Sequence, residues 1–137
     1  MVDVVVSGYF TYPHVGHVRM FEAARKLGDR LVVIVNNEEQ QKLKYGKVIT
    51  PVENVAELIK AFSAVDDVFI SVDEDRTICK SLEQLKPDIF ANGGDRSQGE
   101  IPEAEVCNRL GIKMVDGVGG ENKADSSSRL MEELKKV

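Results

Sequence analysis

The sequence predicts an α/β fold, a single Rossmann-like domain in which a five-stranded parallel sheet carries helices on both faces. The main observation is an alternation along the chain. Short apolar blocks of strand length are separated by longer segments in which apolar residues recur at helical spacing. The length of 137 residues suits one domain, so we expect a single domain spanning residues 1–137.

Each element follows from its local pattern. The apolar blocks predicted as buried strands are residues 4–6, 31–35, 68–72, 89–91 and 112–115. The segments with helical spacing are residues 18–27, 52–62, 77–85, 102–110 and 128–134. Gly28 and Gly111 follow helical segments, where a left-handed residue commonly ends a helix. Pro51 and Pro102 suit helix starts, and Pro87 ends the third helix.

Composition argues against several classes of protein. A net charge of −5 is unsuited to a general nucleic-acid binder, which needs clustered cations. No apolar run approaches the roughly 18 residues of a membrane span, and no signal-peptide pattern precedes the first strand. We therefore expect a cytoplasmic protein without a membrane partner. Cys79 and Cys107 lack the spacing of a zinc or redox pair, so we expect packed thiols.

Polar and glycine-rich segments gather at one edge of the predicted sheet. In an open parallel sheet, ligands bind beyond the carboxyl ends of the strands. The segments that follow the first, second, fourth and fifth strands are residues 8–17, 36–47, 92–96 and 117–128. They bring histidines, lysines, glycines and serines to this edge, whereas the loops at the opposite edge are short. No dinucleotide or Walker A glycine pattern is present, which argues against a dehydrogenase or a P-loop kinase.

The most informative segment contains His14, Gly16 and His17 at the junction of the first strand and the first helix. If the helix begins near Gly16, its free backbone N–H groups and its positive dipole end favour an anion. Both imidazoles can hydrogen-bond phosphate oxygens, and either can be protonated when a polyanion is bound. Gly16 allows close approach of a ligand. The pattern indicates a phosphate site, with two surface histidines of no special role as the alternative.

These residues carry a resemblance to a known family. His14 and His17, separated by two residues and preceded by a turn with Gly8 and Phe10, resemble the motif of the cytidylyltransferase-like nucleotidyltransferases. Within that superfamily the chain is most similar to glycerol-3-phosphate cytidylyltransferases and to the heptose 1-phosphate adenylyltransferase domain. Further segments that resemble the family are residues 27–33, 64–68, 86–88, 93–95 and 126–128.

The resemblance implies transfer of CMP or AMP from CTP or ATP to a phosphorylated sugar or polyol, with release of pyrophosphate. The nucleophile is the acceptor's own phosphate oxygen, so catalysis consists of positioning and charge stabilisation. The resemblance further implies Mg²⁺ or another divalent cation, held mainly by the triphosphate, and a homodimer. The expected partners are a nucleoside triphosphate and a small phosphorylated acceptor.

The resemblance also implies roles for individual residues. The expected catalytic residues are His14, His17 and Lys44. The expected nucleotide-binding residues are Gly8, Tyr9, Phe10, Gly16, Asn92, Gly94, Asp95, Ser126, Ser127 and Ser128. The expected phosphate-binding or acceptor-binding residues are Thr11, Lys42, Lys47, Lys123 and Arg129. Alternatives remain for three of these groups, because a lysine run is commonly a solvated face, Gly-Gly-Asp commonly a turn and a serine run commonly a helix cap.

Three functions stay open. The first is the transfer to a sugar or polyol phosphate. The second is a related enzyme, either a pantetheine-phosphate adenylyltransferase or an archaeal-type FAD synthetase, although no cysteine lies in the C-terminal segment where FAD synthetases tend to have them. The third is a noncatalytic nucleotide-binding module. The acceptor stays open because Thr11, Val55, Asn92 and Arg96 stand where members of the family carry Asp, Arg, Lys and an aromatic residue.

Overall fold

The computed structural model describes residues 1–11, 13–91, 102–115 and 118. In chain order the elements are β1 (Asp3–Gly8), α1 (Val15–Arg25), β2 (Arg30–Val35), α2 (Glu38–Tyr45), α3 (Val52–Lys60), β3 (Asp67–Ile70), α4 (Cys79–Leu85), β4 (Ile89–Ala91), α5 (Pro102–Leu110) and β5 (Lys113–Val115). The strands form one parallel sheet in the order β3-β2-β1-β4-β5. Within the described residues, no helix is both long and apolar enough to cross a membrane.

The sheet is buried on both faces, as the apolar strand sequences predict. Val4 and Val6 of β1 pack in a core with residues of α1 and α3, including Phe21. Val5, which points to the opposite face, packs in a second core with residues of α4 and α5, including Leu82. All five side chains are at most 1 % exposed, and burial of such a side chain contributes about 1.5–3 kcal/mol. The predicted parallel sheet with helices on both faces is confirmed.

Most predicted elements agree with the structure to within a few residues, and the differences have local causes. α1 begins at Val15, earlier than the predicted start at residue 18, because His14 caps it. β3 ends at Ile70 rather than at residue 72, because the carbonyl of Ser71 accepts a hydrogen bond from Asn37 Nδ2 at 2.9 Å. The predicted helix 128–134 lies outside the described residues.

One helix was not predicted. The segment after β2, for which the sequence analysis predicts no helix, contains α2. Asn37 and Gln40 form a capping box: the backbone N–H of Gln40 donates to Asn37 Oδ1 at 2.9 Å, and the backbone N–H of Asn37 donates to Gln40 Oε1 at 3.0 Å. Gly46 ends the helix with φ at +83°, where glycine carries no steric cost.

The cysteines are free thiols of low reactivity. Cys107 is buried and Cys79 is half-buried. Burial raises the pKa of the Cys107 thiol to about 11, and the nearby Glu103 adds to this shift. Burial also raises the pKa of Cys79. Both thiols are therefore protonated at neutral pH. The expectation of packed thiols is confirmed for Cys107, whereas Cys79 is only partly buried.

The turn after β1 depends on Gly8 and Phe10. Phe10 has φ at +51°, an arrangement that costs a residue with a Cβ roughly 1–2 kcal/mol. Its ring returns over Gly8, so that a Cβ on Gly8 would lie 2.7 Å from Phe10 Cζ. The same ring is 5 % exposed and packs edge-on against Phe21, with 5.4 Å between ring centroids. Burial of the ring offsets the backbone strain, and only glycine fits beneath it.

We expect Gly8→Ala to lower the free energy of unfolding by about 1–3 kcal/mol, because the new methyl group overpacks against a ring that cannot move freely. Urea denaturation measures the change. Repeating the substitution in a Phe10→Leu background provides the control, since the ring is then absent and the alanine should cost clearly less. Equal costs in the two backgrounds would show that the close approach of Phe10 is not the cause.

Candidate active site

The candidate site lies where the strand order of the sheet reverses. β2 and β3 extend from one side of β1, and β4 and β5 extend from the other. Ligand crevices in open parallel sheets form at such a point, beyond the carboxyl ends of the strands. A cavity of about 470 Å³ is present there. Its described lining residues are Ser7, Gly8, Tyr9, Asn36, Lys44, Arg76, Thr77, Ile78, Pro102 and Glu103.

His14 and His17 form a capping box at the start of α1. The backbone N–H of Gly16 donates to His14 Nδ1 at 3.0 Å, and the backbone N–H of His14 donates to His17 Nδ1 at 3.2 Å. The two rings stack with 4.0 Å between centroids and 26° between planes. An Nδ1 that accepts a hydrogen bond carries no proton, so the proton of each neutral ring resides on Nε2. Nε2 is therefore the donor that each ring offers.

This arrangement corrects one expectation. The N–H groups at the start of the first helix were expected to be free for an anion. Two of them are used within the turn, since Gly16 donates to His14 Nδ1 and the backbone N–H of His17 donates to the carbonyl of His14 at 2.9 Å. The positive end of the helix still favours an anion. None of His14, Gly16 and His17 is among the described lining residues of the cavity.

His17 is neutral at physiological pH. Burial lowers the pKa of His17 from 6.5 to about 4, and the neighbouring His14 adds to the shift. Phe10 contributes to this burial, because its ring lies edge-on to the His17 ring with 5.0 Å between centroids. In the absence of a ligand, His17 is thus a neutral hydrogen-bond donor rather than a cation.

Phe10 and Thr11, both expected in the binding site, lie beneath it. Phe10 belongs to the core and supports His17 from below. Thr11 is 9 % exposed, and its Oγ1 lies 3.4 Å from the hydroxyl of Tyr45. Neither residue is part of the described cavity lining, whereas Gly8 and Tyr9 of the same turn are.

Of the three lysines predicted after β2, the structure brings Lys44 to the cavity. Its Nζ lies 4.4 Å from the ring centroid of Tyr9 and 5.3 Å from that of Tyr45, within the range of cation–π attraction. Lys42 is exposed and pairs with Glu39 at 3.1 Å. Lys47 is exposed and follows the end of α2. Neither Lys42 nor Lys47 contributes to the described lining, as the alternative of a solvated face predicts.

Several lining residues were missed by the sequence analysis. Arg76 and Thr77 follow β3, whose carboxyl end lies at the same edge of the sheet as those of the other strands. Asn36, which follows β2 directly, lies in a segment that was predicted at this edge, but no role was predicted for it. Glu103 stands in the first turn of α5, where a carboxylate also has a structural explanation in the helix dipole.

Tyr9 forms one wall of the cavity with its polar end buried. Its hydroxyl is inaccessible to solvent and makes no hydrogen bond of normal geometry. Burial raises the pKa of the Tyr9 phenol, and the nearby Arg76 guanidinium opposes this rise. Two cations therefore lie near Tyr9, with Lys44 over its ring and Arg76 near its hydroxyl.

The remaining predicted site residues lie outside the described residues. They are Asn92, Gly94, Asp95, Lys123, Ser126, Ser127, Ser128 and Arg129.

A doubly wound parallel sheet with a polar cavity at its switch point, and a histidine pair at the start of its first helix, defines the class of Rossmann-like nucleotidyltransferases. The comparisons with known proteins agree. The chain belongs to the cytidylyltransferase-like family, whose model matches residues 5–113. The expected family and the enzyme class, a nucleotidyltransferase, are confirmed.

The similar proteins have different names, so they do not identify the acceptor substrate of this chain. The chain is 42 % identical to the FAD synthase of Ferroglobus placidus over 113 residues, which is 82 % of this chain and 72 % of that protein. It is 37 % identical to the bifunctional protein HldE of Hahella chejuensis over 123 residues, 88 % of this chain but only 24 % of that protein. A crystal structure of a lipopolysaccharide core biosynthesis protein from Thermoplasma volcanium matches 89 % of this chain and 99 % of its own, with a TM-score of 0.72 and 25 % identity.

We expect the lowered pKa of His17 to make stability depend on pH. Between pH 6.5 and about 4 the unfolded chain takes up a proton at this residue and the folded chain does not, so stability falls as the pH is lowered through this window. The loss is expected to reach about 2–3 kcal/mol. The measurement is urea denaturation of the wild type and of His17→Gln at several pH values, because the difference between the two isolates this residue.

Ring ¹³C and ¹⁵N NMR of His17 provides a direct control for this prediction. The ring is expected to stay neutral down to about pH 5, with its proton on Nε2. Protonation of His17 near pH 6.5 in the folded protein, or a proton on Nδ1, would contradict the described geometry.

Proposed function

We propose that the chain transfers a nucleoside monophosphate, AMP or CMP, from ATP or CTP to the phosphate of a sugar or polyol phosphate. The observation that carries the proposal is the orientation of the histidine pair. Backbone hydrogen bonds at both Nδ1 atoms make Nε2–H the donor of each ring, at the positive end of α1. Oriented donors of this kind stabilise charge that develops on phosphate oxygens in a transition state.

The chemistry is a displacement at the α-phosphorus of the nucleotide. An anionic oxygen of the acceptor phosphate forms a bond to the α-phosphorus, the bond to the bridging oxygen breaks, and its electron pair leaves with pyrophosphate. The nucleophile is already deprotonated, so no general base is needed. His14 and His17 donate Nε2–H hydrogen bonds to the α-phosphate oxygens, and Lys44 supplies a positive charge.

A divalent cation such as Mg²⁺ fits this site as an ion held mainly by the nucleotide. Among the described lining residues, Glu103 is the one carboxylate, and no group of three or more potential metal ligands occurs in the described part of the chain. Mg²⁺ commonly keeps several waters and binds through substrate phosphates, so this donor set is sufficient. When bound, the ion supplies neutralisation of the triphosphate charge.

A second candidate acceptor is FMN, with FAD as the product. The observation in its favour is the 42 % identity to an FAD synthase over 82 % of the chain. The sugar or polyol phosphate is favoured by the polar cavity lining, in which Asn36, Thr77 and Glu103 offer hydrogen-bonding groups for hydroxyls. We further propose that residues 1–137 act as one domain and that the protein is a cytoplasmic homodimer without a nucleic-acid partner.

The decisive experiment is a pyrophosphate-release screen with Mg²⁺. ATP, CTP, GTP and UTP are each combined with glycerol 3-phosphate, several sugar 1-phosphates, FMN and phosphopantetheine. Release with ATP or CTP and a sugar or polyol phosphate is the expected result. Release confined to ATP and FMN would replace the first candidate with the second. No release with any pair, together with retained ATP binding, would identify a noncatalytic nucleotide-binding module.

We expect His17→Ala to lower turnover by at least about 100-fold, because one donor to the α-phosphate transition state is lost. Steady-state pyrophosphate release measures the effect with the pair found in the screen. Arg109→Ala is the matched control, since Arg109 is an exposed residue of α5 paired with Glu83 and should leave turnover within a factor of two or so. An unchanged rate in His17→Ala would rule out the assigned mechanism.

A further inference from the structure

The residues before and after Arg76 are both hydrogen-bonded to one buried side chain, that of Gln40. Gln40 of α2 is 0 % exposed, and its Nε2 donates to the carbonyls of Asp75 and Thr77, both at 2.7 Å. Its Oε1 accepts the backbone N–H of Asn37, which fixes the orientation of the amide. The backbone on both sides of Arg76 is thereby fixed, although the side chain of Arg76 is exposed.

The rest of the loop between β3 and α4 is held as firmly. Asn37 Nδ2 donates to the carbonyls of Ser71, at 2.9 Å, and Asp73, at 2.8 Å. The buried carboxylate of Asp73 accepts the backbone N–H groups of Lys80, at 2.7 Å, and Ser81, at 3.0 Å, in the first turn of α4. The loop is thus hydrogen-bonded to α2 and to α4, and this order lowers the entropic cost of binding a ligand to the loop.

α2 carries both the side chain that holds the backbone beside Arg76 and the lysine of the cavity. Gln40 and Lys44 are four residues apart in α2 and so share a face of the helix. Lys44 lies over the ring of Tyr9, and Arg76 lies near the Tyr9 hydroxyl, a buried atom without a hydrogen bond of normal geometry. One helix therefore arranges two cations around one tyrosine at the cavity wall.

This arrangement suits an anion with several oxygen atoms. A guanidinium binds phosphate through two parallel hydrogen bonds, and a lysine adds a mobile point charge. The proposed mechanism already places the α-phosphate of the nucleotide at His14 and His17. The chemistry requires a second phosphate, that of the acceptor, and Lys44 and Arg76 are cations of the described lining.

We propose that Arg76 is a specificity-determining residue that binds the acceptor phosphate together with Lys44, and that Gln40 is the positioning residue that directs Arg76 into the cavity. This inference rests on the proposed nucleotidyl transfer. It adds an anchoring point on the acceptor that neither the histidine motif nor the family relationship assigns.

Arg76→Ala and Arg76→Lys test the first half of the proposal. Arg76→Ala is expected to raise the KM of the acceptor about 10- to 100-fold, the range for a lost hydrogen bond to a charged group, and to leave the KM of the nucleotide within about threefold. Arg76→Lys should recover only part of the loss, because it restores charge but not the paired hydrogen bonds. A rise in the KM of the nucleotide alone, or equal rises for both substrates, would overturn the assignment.

Calorimetry measures binding of the acceptor without turnover, so it tests the role of Arg76 even if the proposed transfer reaction is wrong. Glycerol 3-phosphate, glucose 1-phosphate, FMN and ATP are titrated into the wild type and into Arg76→Ala, whether or not turnover is found. Weaker binding of a phosphorylated acceptor with unchanged binding of ATP supports the inference. Equal binding of the acceptors by both proteins, or binding of ATP and of no acceptor by the wild type, overturns it.

A double-mutant cycle tests Gln40. Gln40→Ala should raise the KM of the acceptor in the wild type but add little in the Arg76→Ala background, because its effect acts through Arg76. The matched control is Gln41→Ala, which removes an equally buried amide of the same helix that bonds to Ile49 and Thr50 instead. Gln41→Ala should combine additively with Arg76→Ala. Additivity for Gln40→Ala as well would show a merely structural role, and Arg76→Lys stays informative if Gln40→Ala fails to fold.

Discussion

Two backbone N–H groups at the start of α1 donate hydrogen bonds to imidazole nitrogens, and the geometry of the histidine pair depends on these two bonds. They fix the position of the proton on each ring and bring the rings of His14 and His17 into a stack. The stack needs a support beneath His17, which Phe10 provides by adopting a left-handed backbone conformation. That conformation in turn requires the absence of a side chain at Gly8. The arrangement of the two histidines at the start of α1 thus depends on Gly8, the last residue of β1.

The sheet could be predicted from the sequence because its central strands β1, β2 and β4 are largely buried on both faces, and such strands appear as uninterrupted apolar runs. α2 could not be predicted from hydrophobic periodicity, since its two buried residues, Gln40 and Gln41, are polar. Their buried amides donate hydrogen bonds to loop carbonyls, and a search for apolar periodicity does not detect residues of this kind. The capping pair of Asn37 and Gln40 was the available local signal.

The same limit applies to the site. His14, His17 and Lys44 follow strand ends and were predicted from their place in the chain and from the family resemblance. Arg76 was not, because the backbone on both sides of it is held by Gln40, which is distant in sequence and belongs to another element. Phe10 was expected at the ligand because it stands beside the motif, and only its rare backbone conformation turns it into the core.

The shared face of α2 restricts how the length of this chain can vary. Successive residues of a helix are rotated by about 100°, so one residue inserted between Gln40 and Lys44 would turn the lysine away from the cavity. The Gln40 amide would keep its hydrogen bonds to the loop between β3 and α4. The same insertion after Gly46 would enter a segment that contributes no described lining residue up to the start of α3. Natural insertions and deletions among relatives should therefore avoid the single helical turn between these residues and accumulate in the connection that follows.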